Sequence, residues 1–360
     1  MFPKLRFKEF DGDWLKLKYK DVLTIKYGKD HKSLNDGDIP VYGTGGLMRH
    51  VNKYLYDGES ILIGRKGTID KPKYINEKFW TVDTLFYTEI EESIVPLFLY
   101  QHALEVNWLG LNEATGVPSL NTTSIYNIDI SIPSKEEQNK IASFLSAVDE
   151  KISQLTQKLE LLSQYKQGMM QKLFSQQIRF KADDGSEFGE WGNSYIGDVC
   201  KITTGNKDTQ NKVDDGEYPF FVRSQTVERI NSYSMDCEAV LTSGDGVGVG
   251  KNYHYIDGKF DFHQRVYCLF DFSENILGKY LYIYFSSYFY DRVKRLSAKN
   301  SVDSVRMDMI SKMEIQLPCL EEQTKIANFL SSIDQKIEGV AQQIEQAKQW
   351  KKGLLQQMFV

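Results

Sequence analysis

One segment of this chain occurs twice. Residues 133–145 read PSKEEQNKIASFL, and residues 318–330, which begin 185 positions later, read PCLEEQTKIANFL. Beyond each copy, apolar residues recur at intervals of three and four, which is typical of one face of a long helix. The stripes agree without a gap over roughly ten helical turns. Both segments are therefore expected to occupy equivalent positions in one architecture.

Each segment predicts a helix of roughly 40 residues, which would be about 60 Å long. A proline in the first turn, followed by two glutamates, suits the start of each helix. Because neither helix has another partner of its own length, we expect them to pack on each other as an antiparallel coiled coil. The alternative is that each helix caps the preceding domain separately. The residues predicted to pack in the coil are Ile141, Val148, Ile152, Leu159, Leu162, Ile326, Ile333, Ile337, Ile344 and Leu354.

The rest of the chain carries short runs of Val, Ile, Tyr and Phe between turn signals, which predict strands. Examples are residues 60–64, 84–87 and 266–270, and aromatic helices are predicted at 96–105 and 278–287. The predicted fold class is α+β, with two mixed α/β domains separated by the two long helices. The predicted boundaries are a first mixed domain at 1–132, a first helical region at 133–177, a second mixed domain at 178–317 and a second helical region at 318–360.

The two halves also agree near their beginnings. Residues 5–8 read LRFK and residues 178–181 read IRFK, an offset of 173, whereas the helices match at 185. The second half is thus longer by 12 residues (185 minus 173) in its middle, where we expect function to differ. A pseudo-twofold internal repeat would bring the ends of the chain together. We therefore expect a chain opened near Ile178 and joined from Val360 to Phe2 to fold.

Charge and cysteine spacing limit the classes of function. The chain has 44 Lys and Arg residues against 49 Asp and Glu residues, a formal net charge of −5, which excludes a uniformly basic surface. The four cysteines lie far apart in the sequence, which favours free thiols in a reducing cytosol. Neither a leader nor an apolar run of membrane-spanning length is evident. We expect a cytoplasmic protein without a membrane partner.

Motifs for catalysis and metal binding are absent at the required spacing. The glycine-rich run at residues 244–250 lacks the Lys-Ser/Thr ending of a phosphate loop. None of the eight prolines is followed by another, which excludes the Pro-Pro tetrapeptide of amino-directed DNA methyltransferases. The five histidines are not spaced as metal ligands. We therefore expect no catalytic residue, no metal site and no cofactor bound by this chain.

Basic side chains nevertheless gather locally, on glycine-rich turns. Lys and Arg on loops neutralise phosphates, while Arg, Asn and Gln hydrogen-bond base edges. Double-stranded DNA is the predicted partner, although each patch could also be a solvated surface loop. The candidate DNA-binding residues are Thr44, Arg49, Arg65, Lys66, Thr68, Lys71, Lys73 and Asn121 in the first domain, and Arg223, Gln225, Gln264, Arg265, Arg292, Lys294, Lys299 and Arg306 in the second.

The repeated motif resembles a known family. The pattern Pro-x-x-Glu-Glu-Gln-x-Lys-Ile-Ala-x-Phe-Leu, the Asp-x-Lys-Ile that follows at Asp149 and Asp334, and the Lys-x-Gly endings resemble the specificity subunits of type I restriction-modification enzymes. Residues 64–68 and 79–87 also resemble stretches of the target-recognition domains of that family.

The resemblance implies a non-catalytic subunit in which each target-recognition domain reads one half of a bipartite DNA site and the coiled coil sets the spacing. It also implies two modification subunits docked on the helices, which would bind S-adenosylmethionine and methylate adenine. Restriction subunits, which use ATP and Mg²⁺, can join such a complex. The alternative function is a coiled-coil assembly scaffold with two protein-binding domains.

Overall fold

A computed structural model describes residues 3–246, 248–296 and 304–359 of the chain. The chain divides into two compact units. Unit 1 comprises residues 1–160 and 338–360, and unit 2 comprises residues 161–337. Each unit therefore holds one mixed domain together with a part of each long helix.

The first half of the chain is a mixed domain followed by the first long helix. Its six-stranded sheet and its two-stranded sheet are built from strands that alternate with short turns and 3-10 helices. The elements are β1 (Leu15–Lys18), β2 (Leu23–Tyr27), β3 (Ile39–Gly43), β4 (Gly46–Val51), β5 (Tyr56–Gly64), β6 (Lys73–Thr81), β7 (Leu85–Ile90), α1 (Pro96–Glu105), α2 (Thr122–Tyr126), β8 (Asp129–Ile132) and α3 (Lys135–Phe174).

The second half repeats this sequence of elements, with a short α-helix between its first two strands where the first half has the 3-10 helix Tyr19–Asp21. Its elements are β9 (Gly192–Tyr195), α4 (Ile196–Val199), β10 (Lys201–Thr204), β11 (Tyr218–Phe221), β12 (Val227–Ile230), β13 (Met235–Ser243), β14 (Tyr253–Phe262), β15 (Val266–Phe270), α5 (Gly278–Leu296), α6 (Met307–Ser311), β16 (Glu314–Leu317) and α7 (Leu320–Met358).

The two six-stranded sheets have the same topology. The strand order is β2-β7-β5-β6-β3-β4 in unit 1 and β10-β15-β13-β14-β11-β12 in unit 2. β3 runs parallel to β6, with Val41 opposite Trp80, and β11 runs parallel to β14, with Phe220 opposite Asp261. The other pairings are antiparallel in both sheets. The predicted α+β class and the internal repeat are confirmed.

Each unit has one large apolar core to which its long-helix segments contribute. In unit 1, Tyr19, Phe98 and Trp108 are fully buried together with Leu145 of α3 and Leu354 of α7. The corresponding core of unit 2 is more aromatic, since α5 supplies several Tyr and Phe side chains to it. Burial of each large side chain contributes about 1.5–3 kcal/mol. The apolar stripes of the helices therefore stabilise the mixed domains as well as the coil.

The long helices have the predicted lengths, with 40 residues in α3 and 39 in α7. The predicted start of each helix is wrong: the proline lies before the helix and not in its first turn. Pro133 and Pro318 precede the capping residues instead of lying in the first turn, because the first helical bonds run from Gln138 N to the Ser134 carbonyl and from Gln323 N to the Cys319 carbonyl.

The two helices run antiparallel within each unit. In unit 1, Asp149 pairs with Lys351 at 2.6 Å, and the earlier residue Leu145 shares a core with the later residue Met358. In unit 2, Lys166 pairs with Asp334 at 2.5 Å. The predicted direction of packing is therefore confirmed in each unit.

The residues predicted to pack in the coil differ in burial. Four of them lie in or against the unit 1 core and three in or against the unit 2 core. Leu159 and Leu162 are half-buried, and Ile344 is buried. The unit 1 set is Ile141, Val148, Ile152 and Leu354, and the unit 2 set is Ile326, Ile333 and Ile337.

In each unit, the segment near the start of the mixed domain (residues 5–8 or 178–181) contacts the start of a long helix through a buried ion pair. Arg6 donates to both carboxylate oxygens of Glu137 at 2.7 Å, and Glu137 is almost fully buried. The same pair occurs in unit 2, where Arg179 donates to Glu322 at 3.1 and 2.7 Å. These glutamates are therefore bound by arginine at the start of each helix, in addition to any attraction to the helix dipole.

Candidate nucleic-acid interface

Four loops of unit 1 come together at the ends of its strands. Arg65 and Lys66, which follow β5, donate their backbone N–H groups to the Thr84 carbonyl at 2.8 and 3.2 Å. Gly67 lies beside Thr44, since a Cβ on Gly67 would stand 3.5 Å from Thr44 Oγ1. We name these loops loop cluster 1. They comprise residues 29–32, 43–45, 65–68 and 82–84.

The Arg65 guanidinium forms no ion pair with a carboxylate of the described residues. Its Nη1 donates to the Asp83 carbonyl at 3.1 Å, and its Cζ lies 5.4 Å from the centre of the Tyr27 ring. A cation over an aromatic face is held by the ring quadrupole, which leaves its charge uncompensated. Arg65 is thus positioned to bind an anion or a base edge.

A cavity of about 700 Å³ opens within loop cluster 1. Asp30, His31, Lys32, Thr44 and Asp83 contribute to its lining. The His31 Nδ1 atom is buried and has no hydrogen-bond partner among the described residues. A buried polar atom without a partner is costly, so it favours a ligand that supplies one. The cavity can therefore accept a polar group from outside the chain.

Two predicted residues of unit 1 already have partners in the folded chain. Arg49, in β4, donates to Asp36 Oδ1 at 2.6 Å, in the loop before β3. Asn121 accepts from the Ser124 N–H at 2.7 Å and so caps α2. Asn121 is nevertheless close to Arg65, because the Arg65 carbonyl accepts from Leu120 N.

The remaining predicted residues of unit 1 are distributed around loop cluster 1. Thr68 is half-buried inside it, and Lys71 is exposed just after it. Lys73, at the start of β6, has its Nζ within 3.4 Å of the Cβ position of Gly46. The structure therefore brings Thr44, Arg65, Lys66 and Thr68 together and leaves the other predicted residues at the periphery.

The equivalent loops of unit 2 form a different electrostatic arrangement. Arg223 Nη1 lies 3.0 Å from Asp245 Oδ1, and Arg265 Nε lies 3.7 Å from Asp245 Oδ2. One carboxylate thus contacts two of the predicted arginines. We name these loops loop cluster 2. They comprise residues 207–208, 223–225, 244–246 and 263–265.

His263 is a buried member of loop cluster 2 and hydrogen-bonds its backbone. The His263 Nδ1 accepts from the backbone N–H of Arg265 at 2.9 Å. Burial lowers the pKa of His263, and the nearby Arg223 lowers it further. A neutral imidazole can accept at Nδ1, so the lowered pKa and this hydrogen bond agree. Beside it, Gln264 donates to Asp208 Oδ2 at 3.2 Å.

Several predicted residues of unit 2 serve the fold. Arg292 donates to the carbonyls of Met309 and Lys312 at 2.8 and 2.7 Å, which ties α5 to α6. Lys294 lies over the Tyr290 ring at 5.3 Å.

The other predicted residues of unit 2 lie nearer to its loops. Gln225 Nε2 donates to the Tyr253 carbonyl at 3.4 Å. Arg306 is exposed two residues after Ser304, which bridges to Asp245. Lys299 lies outside the described residues.

Sequence reasoning missed the acidic and imidazole members of both loop clusters. Asp245 is the clearest case, because the glycine-rich run around it reads as a tight turn without a ligand role. In the structure, Gly67 and Gly246 both have positive φ, and Lys66 and Asp245, which precede them, occupy equivalent positions. The repeated motifs do not reveal this equivalence, because the loop offset is 179 (246 minus 67), whereas the motifs match at 173 and 185.

The described residues contain no cluster of His, Cys, Asp or Glu suited to hold a metal ion. The four cysteines are free, with two of them buried. No helix in the described part of the chain is both long and apolar enough to span a membrane.

Comparison with known proteins identifies the family. The family model described as "Type I restriction modification DNA specificity domain" matches residues 11–164 and again residues 189–349. A type I restriction enzyme specificity subunit, MjaVIII, from Methanocaldococcus jannaschii is 28% identical over 338 residues, which cover 84% of this chain and 76% of the relative. The putative specificity subunit MjaX from the same organism is 26% identical and covers 98% and 94%.

A solved structure has the same fold. The crystal structure of the type I restriction-modification S subunit from M. genitalium superposes with a TM-score of 0.75 at 15% sequence identity, covering 100% of this chain and 99% of that one. With two matches to the family model that together cover most of the sequence, the chain belongs to the family of type I restriction-modification specificity subunits, with one specificity domain in each half.

Proposed function

We propose that this specificity subunit reads a bipartite DNA site, with loop cluster 1 contacting one half and loop cluster 2 the other. One observation carries the proposal. Equivalent strands in the two units present equivalent loops, but the polar side chains on those loops differ. Recognition of two half-sites that differ in sequence requires different base-contacting side chains, which a shared scaffold can carry.

The chemistry of the loops supports base readout. Arg65, Arg223 and Arg265 are planar donors of the kind that bind guanine, and Gln264 carries an amide that can pair with adenine. Lys66 is exposed and suits a phosphate. The two half-sites are therefore expected to differ in sequence.

The family of the chain and its charge together suggest its partners. With a net charge of −5, this chain alone is expected to bind DNA weakly. Two modification subunits docked on the long helices would supply further basic surface, S-adenosylmethionine and the pocket for a flipped adenine. Restriction subunits that use ATP and Mg²⁺ would join the same complex in the cytoplasm. The specificity subunit itself would carry out no chemistry.

The length of the helices provides a test of how the half-sites are spaced. Inserting seven residues into both helices, after Leu155 and after Val340, lengthens each by about 10 Å. At 3.4 Å per base pair this corresponds to about three base pairs of additional spacer. Both half-sites should keep their sequence. Altered half-sites at the original spacing would show that the helices do not set the distance.

Methylome mapping tests the whole proposal. Cells that express this chain with its modification subunit should methylate adenine in a bipartite motif with a fixed spacer. Expression of either protein alone should give no methylation. Absence of any motif from the complex, with both proteins folded, would favour the alternative of a scaffold that binds only protein.

A further inference from the structure

Loop clusters 1 and 2 differ most at one equivalent position. Lys66 and Asp245 each form an isolated bridge with an equivalent serine, Ser119 and Ser304 respectively, and each precedes a glycine with positive φ. Unit 1 therefore has a cation where unit 2 has a carboxylate. The carboxylate lies in a patch that must approach polyanionic DNA if the proposed function is correct, so it needs a specific reason to be there.

The residue before Asp245 is fixed by two backbone hydrogen bonds. Gly244 N donates to the Arg265 carbonyl at 2.7 Å, and the Gly244 carbonyl accepts from Val305 N, also at 2.7 Å. The Asp245 side chain is about one-quarter exposed. Its carboxylate thus follows a residue that is hydrogen-bonded through both its N–H and its carbonyl, and it contacts both arginines.

Arg223 and Arg265 each have one backbone contact and one side-chain contact. Asn252 Nδ2 donates to the Arg223 carbonyl at 3.2 Å, and the backbone N–H of Arg265 donates to the buried His263. Their guanidinium groups meet the two oxygens of Asp245 through Arg223 Nη1 and Arg265 Nε. Each guanidinium keeps two further nitrogen donors, which have no other partner among the described residues and can face a base edge.

We propose that Asp245 is a positioning residue for specificity: its carboxylate holds Arg223 and Arg265 in the orientation that reads the second half-site, and keeps them from binding phosphates nonselectively. This proposal rests on the proposed function. A restrained guanidinium loses less conformational freedom on binding, so its preference for the correct base is sharper. A carboxylate also repels phosphates, which lowers binding to unrelated DNA.

The test uses the complete complex with the modification subunit and the variant Asp245→Asn. The amide retains the size of the side chain and loses its charge. We expect methylation to continue, the first half-site to stay unchanged, and discrimination at one or two positions of the second half-site to fall about 10-fold. Binding to unrelated DNA should become tighter and more salt-dependent. Asp245→Glu should restore selectivity in part, because the charge returns.

The matched control is Asp271→Asn. Asp271 pairs with Lys201 at 2.8 Å, and it follows the last residue of β15, the strand that begins directly after Arg265. This control should leave both half-sites unchanged.

Three outcomes separate the hypotheses. An unchanged second half-site in the Asp245→Asn complex would overturn the role of Asp245. Loss of DNA binding by the folded variant would also overturn it, because the proposal has the carboxylate restrain binding rather than contribute to it. If the unmodified complex methylates no bipartite motif, the proposed function itself fails.

Discussion

Unit 1 and unit 2 share one scaffold, and the reversal of charge between them lies where loops meet solvent. The strand order, the antiparallel helix segments and the arginine–glutamate pairs are the same in both. In loop cluster 1, Arg65 contacts the Tyr27 ring and the Asp83 carbonyl. In loop cluster 2, the Asp245 carboxylate contacts Arg223 and Arg265. Packing constrains the scaffold, and the exposed loops can change without a cost in stability.

The first way to break this comparison is to remove the buried arginines. Arg6→Ala or Arg179→Ala leaves an uncompensated buried carboxylate, which should cost about 3–5 kcal/mol of unfolding free energy. The loss should be smaller for Arg179→Ala, because Trp191 Nε1 still donates to Glu322 at 2.9 Å. The equivalent Trp14 Nε1 has no partner among the described residues. Denaturant unfolding measures both losses.

The control for this prediction is Lys181→Ala, since Lys181 and Glu187 form an exposed ion pair. Exposed pairs contribute about 0–1 kcal/mol. Equal losses for Arg6→Ala and Arg179→Ala would show that the tryptophan hydrogen bond contributes nothing.

The second way is to lower the pH. His102 is buried in unit 1, its Nδ1 hydrogen-bonds Tyr19 at 2.9 Å, and desolvation lowers its pKa to about 4. The unfolded histidine titrates near pH 6.5, so the unfolded state takes up the proton first. Stability is therefore fully present above pH 6.5 and is lost as the pH falls towards 4, by about 3 kcal/mol.

Unit 2 should lose less stability than unit 1 at low pH, because it has no histidine at the position of His102, although burial also lowers the pKa of His254 and His263. Tyr284 stands in place of His102, since both contact the phenylalanine that ends a long helix, Phe174 or Phe359. Tryptophan fluorescence is suited to the measurement, because four of the five tryptophans lie in unit 1. His102→Gln retains a hydrogen-bonding group and should remove the acid sensitivity. Persistence of that sensitivity in the variant would assign it to other groups.

The third way is to change Arg65, the arginine of loop cluster 1 that is proposed to contact a base. Arg65→Lys retains the charge and loses the planar guanidinium that lies over Tyr27. In the methylating complex, discrimination at one base pair of the first half-site should fall by about 1–3 kcal/mol. The second half-site should stay unchanged. A uniform loss of methylation on all sites, without a change of sequence preference, would make Arg65 a phosphate contact.

The sequence predicts the scaffold well and the sites only in part. The repeated motif predicts two long helices because their apolar period depends on residue type alone. It does not predict that Arg6 binds Glu137, since a contact between residues 131 positions apart depends on the tertiary fold. A search of the sequence for DNA-binding residues selects Lys and Arg on loops. It therefore identifies Arg65 and Arg265 but not the carboxylate of Asp245.

The extra 12 residues of the second half change the sequence spacing between its loops. Gly67 corresponds to Gly246 at an offset of 179, whereas Ser119 and Ser304 match at 185. The additional residues are thus introduced in several loops and not at one place. No single shift brings the two sets of loops into register, and the equivalence of Lys66 with Asp245 becomes evident only from strand pairing.

The smallest expected effect concerns the link between a long helix and the next domain. In unit 2, Ile178 N donates to the Lys172 carbonyl at 3.3 Å across the link that follows α3. In unit 1 the equivalent bond joins Leu5 N to the Gln357 carbonyl at 2.9 Å, although these residues stand near opposite ends of the sequence. The unit 1 geometry therefore forms without a covalent link.

Joining Val360 to residue 3 and opening the chain between Gln176 and Gln177 should therefore preserve both units. The new link consists of Val360, Pro3 and Lys4, which connect Phe359 to Leu5. In unit 2, residues 175–177 likewise form a three-residue link between Phe174 and Ile178. The middle position of the new link corresponds to Gln176, which has φ of 58°. Pro3 cannot adopt that conformation because its ring fixes φ near −65°.

The joined chain should therefore carry Pro3→Asn, since asparagine tolerates the left-handed region. We expect its unfolding free energy to lie within about 1 kcal/mol of the original chain, and the version that retains Pro3 to be less stable by about 1–3 kcal/mol. Denaturant unfolding of the two joined chains measures the difference. Equal stability of both would show that the link in unit 1 does not adopt the conformation seen after α3.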